Sequence, residues 1–283
     1  MNKSFLDRWC ASIPGLIKVA EGHWRSKTLG DPVSYPEDDL ALLAEIEPNS
    51  YWFNHRNRAI EAVMRRFPPN GTAFDIGGGN GYVSQHLCRV GFDCIVVEPD
   101  PNGSATARMR KVATVEAAFQ ELAIPSASLP AIALFDVLEH IADEGTALAG
   151  LYASLAPSGR AYVAVPAYRW LWSAEDRHAG HFRRYTRRSL ARALRRAGFE
   201  VEFSTYLFGV LVPAVLLLRA LPSWLGSRQG GGAQSAADHA LPDSAIGRFV
   251  GRRLQSELAR LQAGATVLMG TSVLAVARRR DAT

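Results

Sequence analysis

The sequence has few cysteines, few lysines and no long apolar run. Three cysteines in 283 residues are too few for a disulfide scaffold, and their scattered positions suggest a reducing compartment. No apolar run reaches the about 18–20 residues that a membrane-spanning helix requires. The first residues also lack the apolar stretch of a signal peptide. We therefore predict a cytoplasmic protein.

Signals for nucleic acid and for metal ions are equally scarce. The formal charge is +5, with 4 Lys against 28 Arg, but basic residues cluster with aromatic ones in only one short stretch. No Cys/His spacing is typical of zinc, and the carboxylates are too scattered for a cation cage. We therefore expect no nucleic-acid partner and a metal-independent protein.

What the sequence does contain is a regular alternation of strands and helices. Hydrophobic residues make up 48% of the chain, enough to bury a full core. Helical patterns separate most of six short apolar runs, which are TAFDI, DCIVVE, 114–117, AIALFD, RAYVAVP and EVEFSTY. This alternation predicts a doubly wound α/β fold with a mostly parallel sheet covered on both faces.

Regions of different composition flank this alternation. We predict a helical N-terminal extension over residues 1–67 and the core over 68–206. An apolar and helical insertion follows over 207–264, with a flexible Gly/Ser-rich loop at 226–244. The last strand and a basic tail occupy 265–283. The sequence does not determine the oligomeric state.

A glycine-rich loop directly after the first core strand is the strongest functional signal. In FDIGGGNGY, glycines allow a tight turn and close approach of a ligand to the backbone. Glu98 follows at the end of the second strand, where a carboxylate can accept both hydroxyls of a ribose. A dinucleotide-binding motif would need its third glycine at the position of Tyr82. The negative charge of Asp75 would also repel the pyrophosphate of a dinucleotide. The pattern therefore favours a cationic nucleoside such as S-adenosylmethionine.

These motifs resemble those of the class I S-adenosylmethionine-dependent methyltransferases over about residues 45–205. FDIGGGNGY resembles their first motif, VVEPD their second, and AIALFDVLEHI the segment around their fourth strand. The resemblance implies seven strands, the last antiparallel, which makes TSVLAVA the seventh. It also implies that S-adenosylmethionine contacts Asp75, Gly77, Gly78, Gly79, Glu98, Pro99, Phe119, Gln120 and Asp136.

A narrower resemblance concerns two further segments. SYWFNHRNR, before the glycine loop, and WLWSAEDRHAGHFRRYT, after the fifth strand, are similar to a bacterial subgroup often associated with cell-surface glycan or lipid biosynthesis. The resemblance implies a small, sugar or lipid-linked acceptor.

The segment after the fifth strand is the predicted acceptor site, because ligands bind outside the carboxyl ends of strands in such sheets. His181 or His178 could act as a general base, since imidazole titrates near neutral pH. The predicted substrate-binding residues are Trp172, Arg183, Arg184 and Tyr185. Alternatively, the arginines pair with the nearby Glu175 and Asp176, and aligned methyl transfer needs no base. His140, at a strand-to-helix junction, is interpreted as structural.

The apolar stretch at residues 206–225 has three readings. It could be a buried helix of the insertion, an oligomer interface, or an in-plane contact with the inner face of the membrane. Pro213 argues against one straight helix. The apolar residues of this stretch would lie on all sides of a helix, which favours peripheral membrane contact.

Together these features predict an S-adenosylmethionine-dependent methyltransferase that methylates an oxygen. Two alternatives stay open at this point. One is a nicotinamide-dependent oxidoreductase, and the other is a non-catalytic, membrane-associated protein that binds S-adenosylmethionine.

Overall fold

The computed structural model describes residues 3–28, 37–226, 240–241 and 243–280, and its centre is one sheet. The strands are β1 (Leu16–Ala20), β2 (His23–Ser26), β3 (Ala73–Ile76), β4 (Cys94–Val97), β5 (Ala113–Glu116), β6 (Leu129–Phe135), β7 (Leu155–Pro166), β8 (Glu200–Leu207) and β9 (Ser272–Arg278). Their order is β1-β2-β5-β4-β3-β6-β7-β9-β8. The pairs from β2 to β7 are parallel, and β9 runs antiparallel to both of its neighbours. The doubly wound fold and its antiparallel last strand are confirmed.

Helices cover both faces of the sheet. They are α1 (Lys3–Ala11), α2 (Glu37–Ile46), α3 (Tyr51–Arg66), α4 (Tyr82–Arg89), α5 (Pro101–Met109), α6 (Glu144–Ser154), α7 (Ala174–His178), α8 (Arg187–Arg196), α9 (Val212–Val215), α10 (Leu221–Trp224) and α11 (Ala245–Gln262). Successive strand residues point to opposite faces. Ile132 and Val163 therefore pack with α1, α6 and α8, whereas Ala133 and Tyr162 pack with α3, α4 and α11.

The sheet has nine strands and not seven, because a hairpin extends it at one edge. β1 and β2 pair antiparallel, and β2 lies parallel to β5, so the hairpin covers the edge that β5 would otherwise expose. The indole of Trp24 is buried and donates to Asp7 (3.1 Å). The predicted helical extension is therefore wrong for residues 16–26. These strands are short, and their pairing with a strand about 90 residues away leaves no local pattern.

The insertion begins as a chain of short helical turns. A π-helical turn, Leu216–Ala220, joins α9 to α10. Several apolar side chains of this segment are exposed: Leu217 (58%), Leu218 (67%), Trp224 (52%) and Leu225 (81%). Among the described residues, no helix is both long and apolar enough to cross a membrane. Most of the predicted flexible loop, residues 227–239 and 242, lies outside the described residues.

The buried apolar side chains of the helix that ends the insertion lie in its second half. Leu254, Leu258 and Leu261 of α11 pack against the sheet, whereas Ile246 and Phe249 are exposed. The single apolar face expected from the sequence therefore divides into a buried part and an exposed part.

One carboxylate of α11 fixes the start of the insertion to α3. Glu257 accepts hydrogen bonds from the backbone N–H groups of Phe208 (2.7 Å) and Gly209 (2.8 Å). Its Oε1 also lies 2.9 Å from Nε2 of His55. Trp52 stacks on the Phe208 ring, with centroids 5.2 Å apart. We call Glu257, His55, Trp52, Phe208 and Gly209 the Glu257 clamp.

Candidate active site

The candidate site lies at one edge of the sheet, where β3, β4, β5, β6 and β7 all end. Parallel strands bring their carboxyl ends to the same edge, so segments far apart in sequence meet there. The glycine loop follows β3, and a sharp turn at Asp136 follows β6. Val137 of that turn contacts the glycine loop, since a Cβ added at Gly77 would lie 2.9 Å from its Cγ2.

The glycine loop adopts a backbone that favours glycine. Gly77, Gly79 and Gly81 have φ angles of +67°, +51° and +68°. A Cβ at Gly81 would also lie 2.8 Å from the Cβ of Ala107 in α5. The loop therefore turns tightly, approaches α5 closely and leads directly into α4. Gly77, Gly78 and Gly79 are partly exposed at the site.

Asp75 is a buried carboxylate with one unused oxygen. Its Oδ2 accepts a hydrogen bond from the Ser84 hydroxyl (2.7 Å), whereas Oδ1 has no partner among the described residues. Burial raises the pKa of this carboxyl to about 6. A cationic donor would supply the missing partner, so the site fits the ammonium and sulfonium end of S-adenosylmethionine.

Glu98 lies across the glycine loop from Asp75. It accepts hydrogen bonds from the backbone N–H groups of Gly79 (2.7 Å) and Asp100 (2.8 Å). Burial raises the pKa of the Glu98 carboxyl to about 7. Each carboxylate oxygen can accept a second hydrogen bond, so ribose hydroxyls could be added to this arrangement.

The residues expected to surround the adenine lie beyond Glu98. Pro99 follows it directly and is half-buried. Phe119, after β5, is half-buried and packs against the core of the sheet, and its neighbour Gln120 is exposed. Their contact with the base stays a prediction.

Asp136 is held in a left-handed conformation by α3. Its φ angle is +59°, and its carboxylate pairs with the guanidinium of Arg56. Arg56 lies over the rings of Trp52 (4.8 Å) and Phe53 (5.2 Å), at the start of α3. Ser50 caps this helix by accepting from Phe53 N–H (3.2 Å). SYWFNHRNR thus contributes a side chain that orders the turn after β6.

Helix α2 lies over the glycine loop, an arrangement that the sequence did not indicate. The side chain of Asn80 donates to the Leu40 carbonyl (2.8 Å), and a Cβ at Gly79 would lie 3.7 Å from Leu40. Arg110 connects both parts by donating to the Ala44 carbonyl of α2 (3.2 Å) and to the Asn80 carbonyl (2.9 Å). Helix α2 therefore covers the glycine loop, whose conformation the glycines themselves allow.

His181 is oriented by a buried carboxylate. Its Nδ1 lies 2.9 Å from Oδ1 of Asp176, which also takes a bidentate pair from Arg184 (2.7 and 2.9 Å). Asp176 caps α7 by accepting from Ser173 N–H (2.8 Å). Despite its burial, the hydrogen bonds from His181 and Arg184 lower the pKa of Asp176 to about 2.

The other predicted acceptor residues are only partly brought together. Arg184 also donates to the Ala167 carbonyl (3.0 Å), which favours the alternative that it is structural. Arg183 pairs with Glu144 (3.2 Å), and buried Tyr185 donates to the same carboxylate (2.6 Å). His178 is exposed at the end of α7, and Trp172 is half-buried. Substrate contacts by these residues stay predictions.

Two residues beside His181, Glu139 and His140, were not assigned to the site from the sequence. The ring of His140 lies 4.6 Å from that of His181, nearly perpendicular to it. Burial, with the neighbouring His181, lowers the pKa of His140 to about 4. Burial and the nearby Asp136 hold the pKa of Glu139 well above its usual range. The LEH sequence was the available signal, but nothing local connects it with His181, about 40 residues later.

Comparison with known proteins gives a consistent result. The model of a methyltransferase domain family matches residues 51–203. A Mycobacterium tuberculosis protein named as a probable S-adenosylmethionine-dependent methyltransferase is 27% identical over 163 residues, which are 56% of this chain and 58% of that protein. A similarly named protein of Mycolicibacterium smegmatis is 27% identical over 186 residues, covering 62% and 71% of the two chains. The chain thus covers less than two thirds of the M. tuberculosis relative.

Solved structures show the same fold. Phosphoethanolamine N-methyltransferase 2 of Haemonchus contortus, in complex with S-adenosyl-L-methionine, has a TM-score of 0.55 and 16% identity, covering 89% of this chain and 59% of that one. The [4+2]-cyclase SpnF has a TM-score of 0.55 and 18% identity, covering 90% and 100%. Because a cyclase shares the fold, the fold alone does not give the reaction. The resemblance inferred from the sequence motifs is confirmed, whereas the association with glycan or lipid synthesis stays a prediction.

Proposed function

Because the chain belongs to the methyltransferase domain family, we propose that it transfers the methyl group of S-adenosylmethionine to an oxygen atom of its acceptor. The observation that carries the proposal is the pair of buried carboxylates on either side of the glycine loop. Asp75 has an unused oxygen, and Glu98 has its carboxylate fixed by two backbone amides. This arrangement suits a ligand with a cationic end and a ribose.

The chain's own residues would bind and orient the donor. Asp75 would face the cationic methionine end, and Glu98 would accept the ribose hydroxyls. Asp136, ordered by Arg56, would close the pocket beside Val137. S-adenosylmethionine, when bound, supplies a methyl group activated by its sulfonium. Alignment of that methyl group with the acceptor oxygen supplies much of the rate acceleration.

His181 is the residue that we propose to activate the acceptor hydroxyl. Asp176 fixes the orientation of its ring through Nδ1, which leaves Nε2 to act on the acceptor side. In the transfer the C–O bond forms as the C–S bond breaks, the hydroxyl proton passes to Nε2 of His181, and S-adenosylhomocysteine leaves. The other predicted base, His178, is exposed at the end of α7.

A sugar or lipid-linked acceptor is supported by the surface beside this site. The turn at Arg169–Leu171, which follows β7, packs against the exposed apolar segment at Leu216–Ala220. Arg177 of α7 also donates to the Ser223 hydroxyl of α10, which follows that segment (2.9 Å). An acceptor with a lipid part could therefore contact apolar side chains while its head group reaches His181. The oxidoreductase and the non-catalytic alternatives gain no support.

Calorimetric titration with three ligands tests the donor. We expect micromolar binding of S-adenosylmethionine and of S-adenosylhomocysteine, and none of NADH. The acceptor is then sought by following methyl transfer to free and lipid-linked sugars, with mass spectrometry locating the methylated atom. Binding of NADH alone would overturn the proposal, and methylation only at nitrogen or carbon would overturn the oxygen assignment.

Peripheral membrane contact through residues 206–225 is tested by sedimentation with anionic phospholipid vesicles. The double variant Leu217→Ser/Leu225→Ser removes two of the exposed apolar side chains of this segment. We expect the unchanged protein to sediment with vesicles and the variant to stay largely in the supernatant. Met109→Ser, at a similarly exposed position in α5, is the control and should behave as the unchanged protein. Equal sedimentation of all three would contradict the contact.

A further inference from the structure

Three side chains with metal-ligating atoms meet at the turn after β6. A carboxylate oxygen of Glu139 and one ring nitrogen each of His140 and His181 all lie within 4.8 Å of one another. Ligands about 2.1 Å from one ion lie about 3.4 Å apart in a tetrahedral site. The three groups could therefore close on an ion with side-chain movements of about an ångström.

Glu139 gives a second, independent reason to place a cation here. The residue is 1% exposed, and its Oε2 accepts no hydrogen bond from the part of the chain that the structure describes. Buried polar atoms without a partner are rare and costly. An ion bound to this oxygen would supply the interaction that the surrounding residues do not.

His181 is oriented as metal-binding histidines usually are. Such histidines donate their other ring nitrogen to a carboxylate, which fixes the orientation of the ring. Asp176 occupies this position, 2.9 Å from Nδ1, and Arg184 holds Asp176 in place by two hydrogen bonds. Nε2 of His181 is therefore the nitrogen left for an ion.

We propose that Glu139, His140 and His181 bind a divalent first-row transition-metal cation. Two imidazoles and one carboxylate suit ions such as Zn²⁺, Fe²⁺ or Mn²⁺. Three protein ligands leave coordination positions open, as in catalytic sites. This inference replaces the expectation of a metal-independent protein.

With the cation bound, His181 would act as a ligand and the cation would take over the activation of the acceptor hydroxyl from the imidazole, a role that rests on the proposed function. An acceptor hydroxyl bound at an open coordination position of the cation would lose its proton to water more readily. The C–O bond then forms as the C–S bond breaks, so atoms and charge balance. Binding of the cation itself does not depend on methyl transfer and can be measured alone.

The test uses Co²⁺ as the probe. The full chain is stripped with EDTA, freed of the chelator and titrated with Co²⁺ while d–d absorption is recorded. We expect saturation at one equivalent. Glu139→Gln, which keeps the shape of the side chain, and His140→Ala should each weaken binding by at least about tenfold. His86→Ala is the control, since it removes an imidazole 2.9 Å from Glu61, outside the cluster, and should bind like the unchanged protein.

The possible outcomes separate this inference from the proposed function. Absence of saturable binding, equal binding by the Glu139 and His86 variants, or the intense charge-transfer band of a thiolate ligand would overturn the metal site. The stripped protein is also titrated with S-adenosylmethionine. Donor binding without Co²⁺ binding would overturn the metal site and leave the proposed function standing. Co²⁺ binding without donor binding would support the metal site and overturn the proposed function.

Discussion

Replacing Glu98 with alanine is expected to weaken S-adenosylmethionine binding by about 1.5–3 kcal/mol, or roughly 10- to 150-fold in the dissociation constant. The variant loses the proposed acceptor of the ribose hydroxyls. It also leaves the Gly79 and Asp100 amides without their carboxylate, which loosens the turn that cradles the donor. Isothermal calorimetry with S-adenosylmethionine measures the change.

Two further variants separate the causes of this effect. Glu98→Gln keeps one carbonyl oxygen and the shape of the side chain, so we expect a loss smaller than that of Glu98→Ala. Glu121→Ala removes an exposed carboxylate in the turn after β5 and should leave the affinity unchanged. An unaltered dissociation constant for Glu98→Ala would mean that the ribose binds elsewhere.

Replacing Asp176 with asparagine is expected to lower turnover by about a hundredfold or more, with donor affinity unchanged. Asp176 is a positioning residue: it acts by orienting His181 through Nδ1. An amide there keeps only one oxygen, so its NH2 group faces either the donors of His181 and Arg184 Nε or those of Arg184 Nη2 and the Ser173 amide. Steady-state kinetics should show the loss in kcat, while calorimetry of donor binding reports that the site is intact.

The same variant should also be less stable at neutral pH. Removing one partner of a buried ion pair costs about 3–5 kcal/mol, because Arg184 keeps its charge. The depressed pKa of Asp176 contributes about 2 kcal/mol above pH 4, and this contribution is lost as pH falls toward about 2. The difference in unfolding free energy between the two proteins should therefore narrow from pH 5 to pH 2.

A neighbouring carboxylate provides the control. Glu175 lies in the same short helix and accepts from the Ser173 hydroxyl (2.6 Å), so Glu175→Gln should retain turnover. If both variants lost turnover equally, the effect would belong to α7 as a whole and not to the orientation of His181.

The parts that sequence predicted well are those whose signals are local. The glycine loop is one example, because its conformation depends on residues within a few positions. β3 and β4 are others: all their residues are buried, which gives short runs that are apolar except for Asp75. Asp75 and Glu98 could be placed because Asp75 is the next-to-last residue of β3 and Glu98 directly follows β4.

The parts that sequence missed depend on contacts between distant segments. The β1–β2 hairpin is stabilised by pairing with β5, and α2 covers the glycine loop through Asn80 and Arg110. Arg184 was predicted to bind substrate, but its guanidinium is engaged by Asp176 and a backbone carbonyl. An arginine pattern alone does not distinguish an internal ion pair from a ligand site.

The Glu257 clamp has a consequence for how the chain unfolds. A single buried carboxylate joins α3, the residues after β8 and α11, so releasing the insertion from α3 separates Glu257 from His55, and detaching α11 from the residues after β8 breaks two more hydrogen bonds. Local opening of that region is therefore costly compared with fraying of a surface loop. We therefore expect the insertion and the sheet to unfold as one cooperative unit.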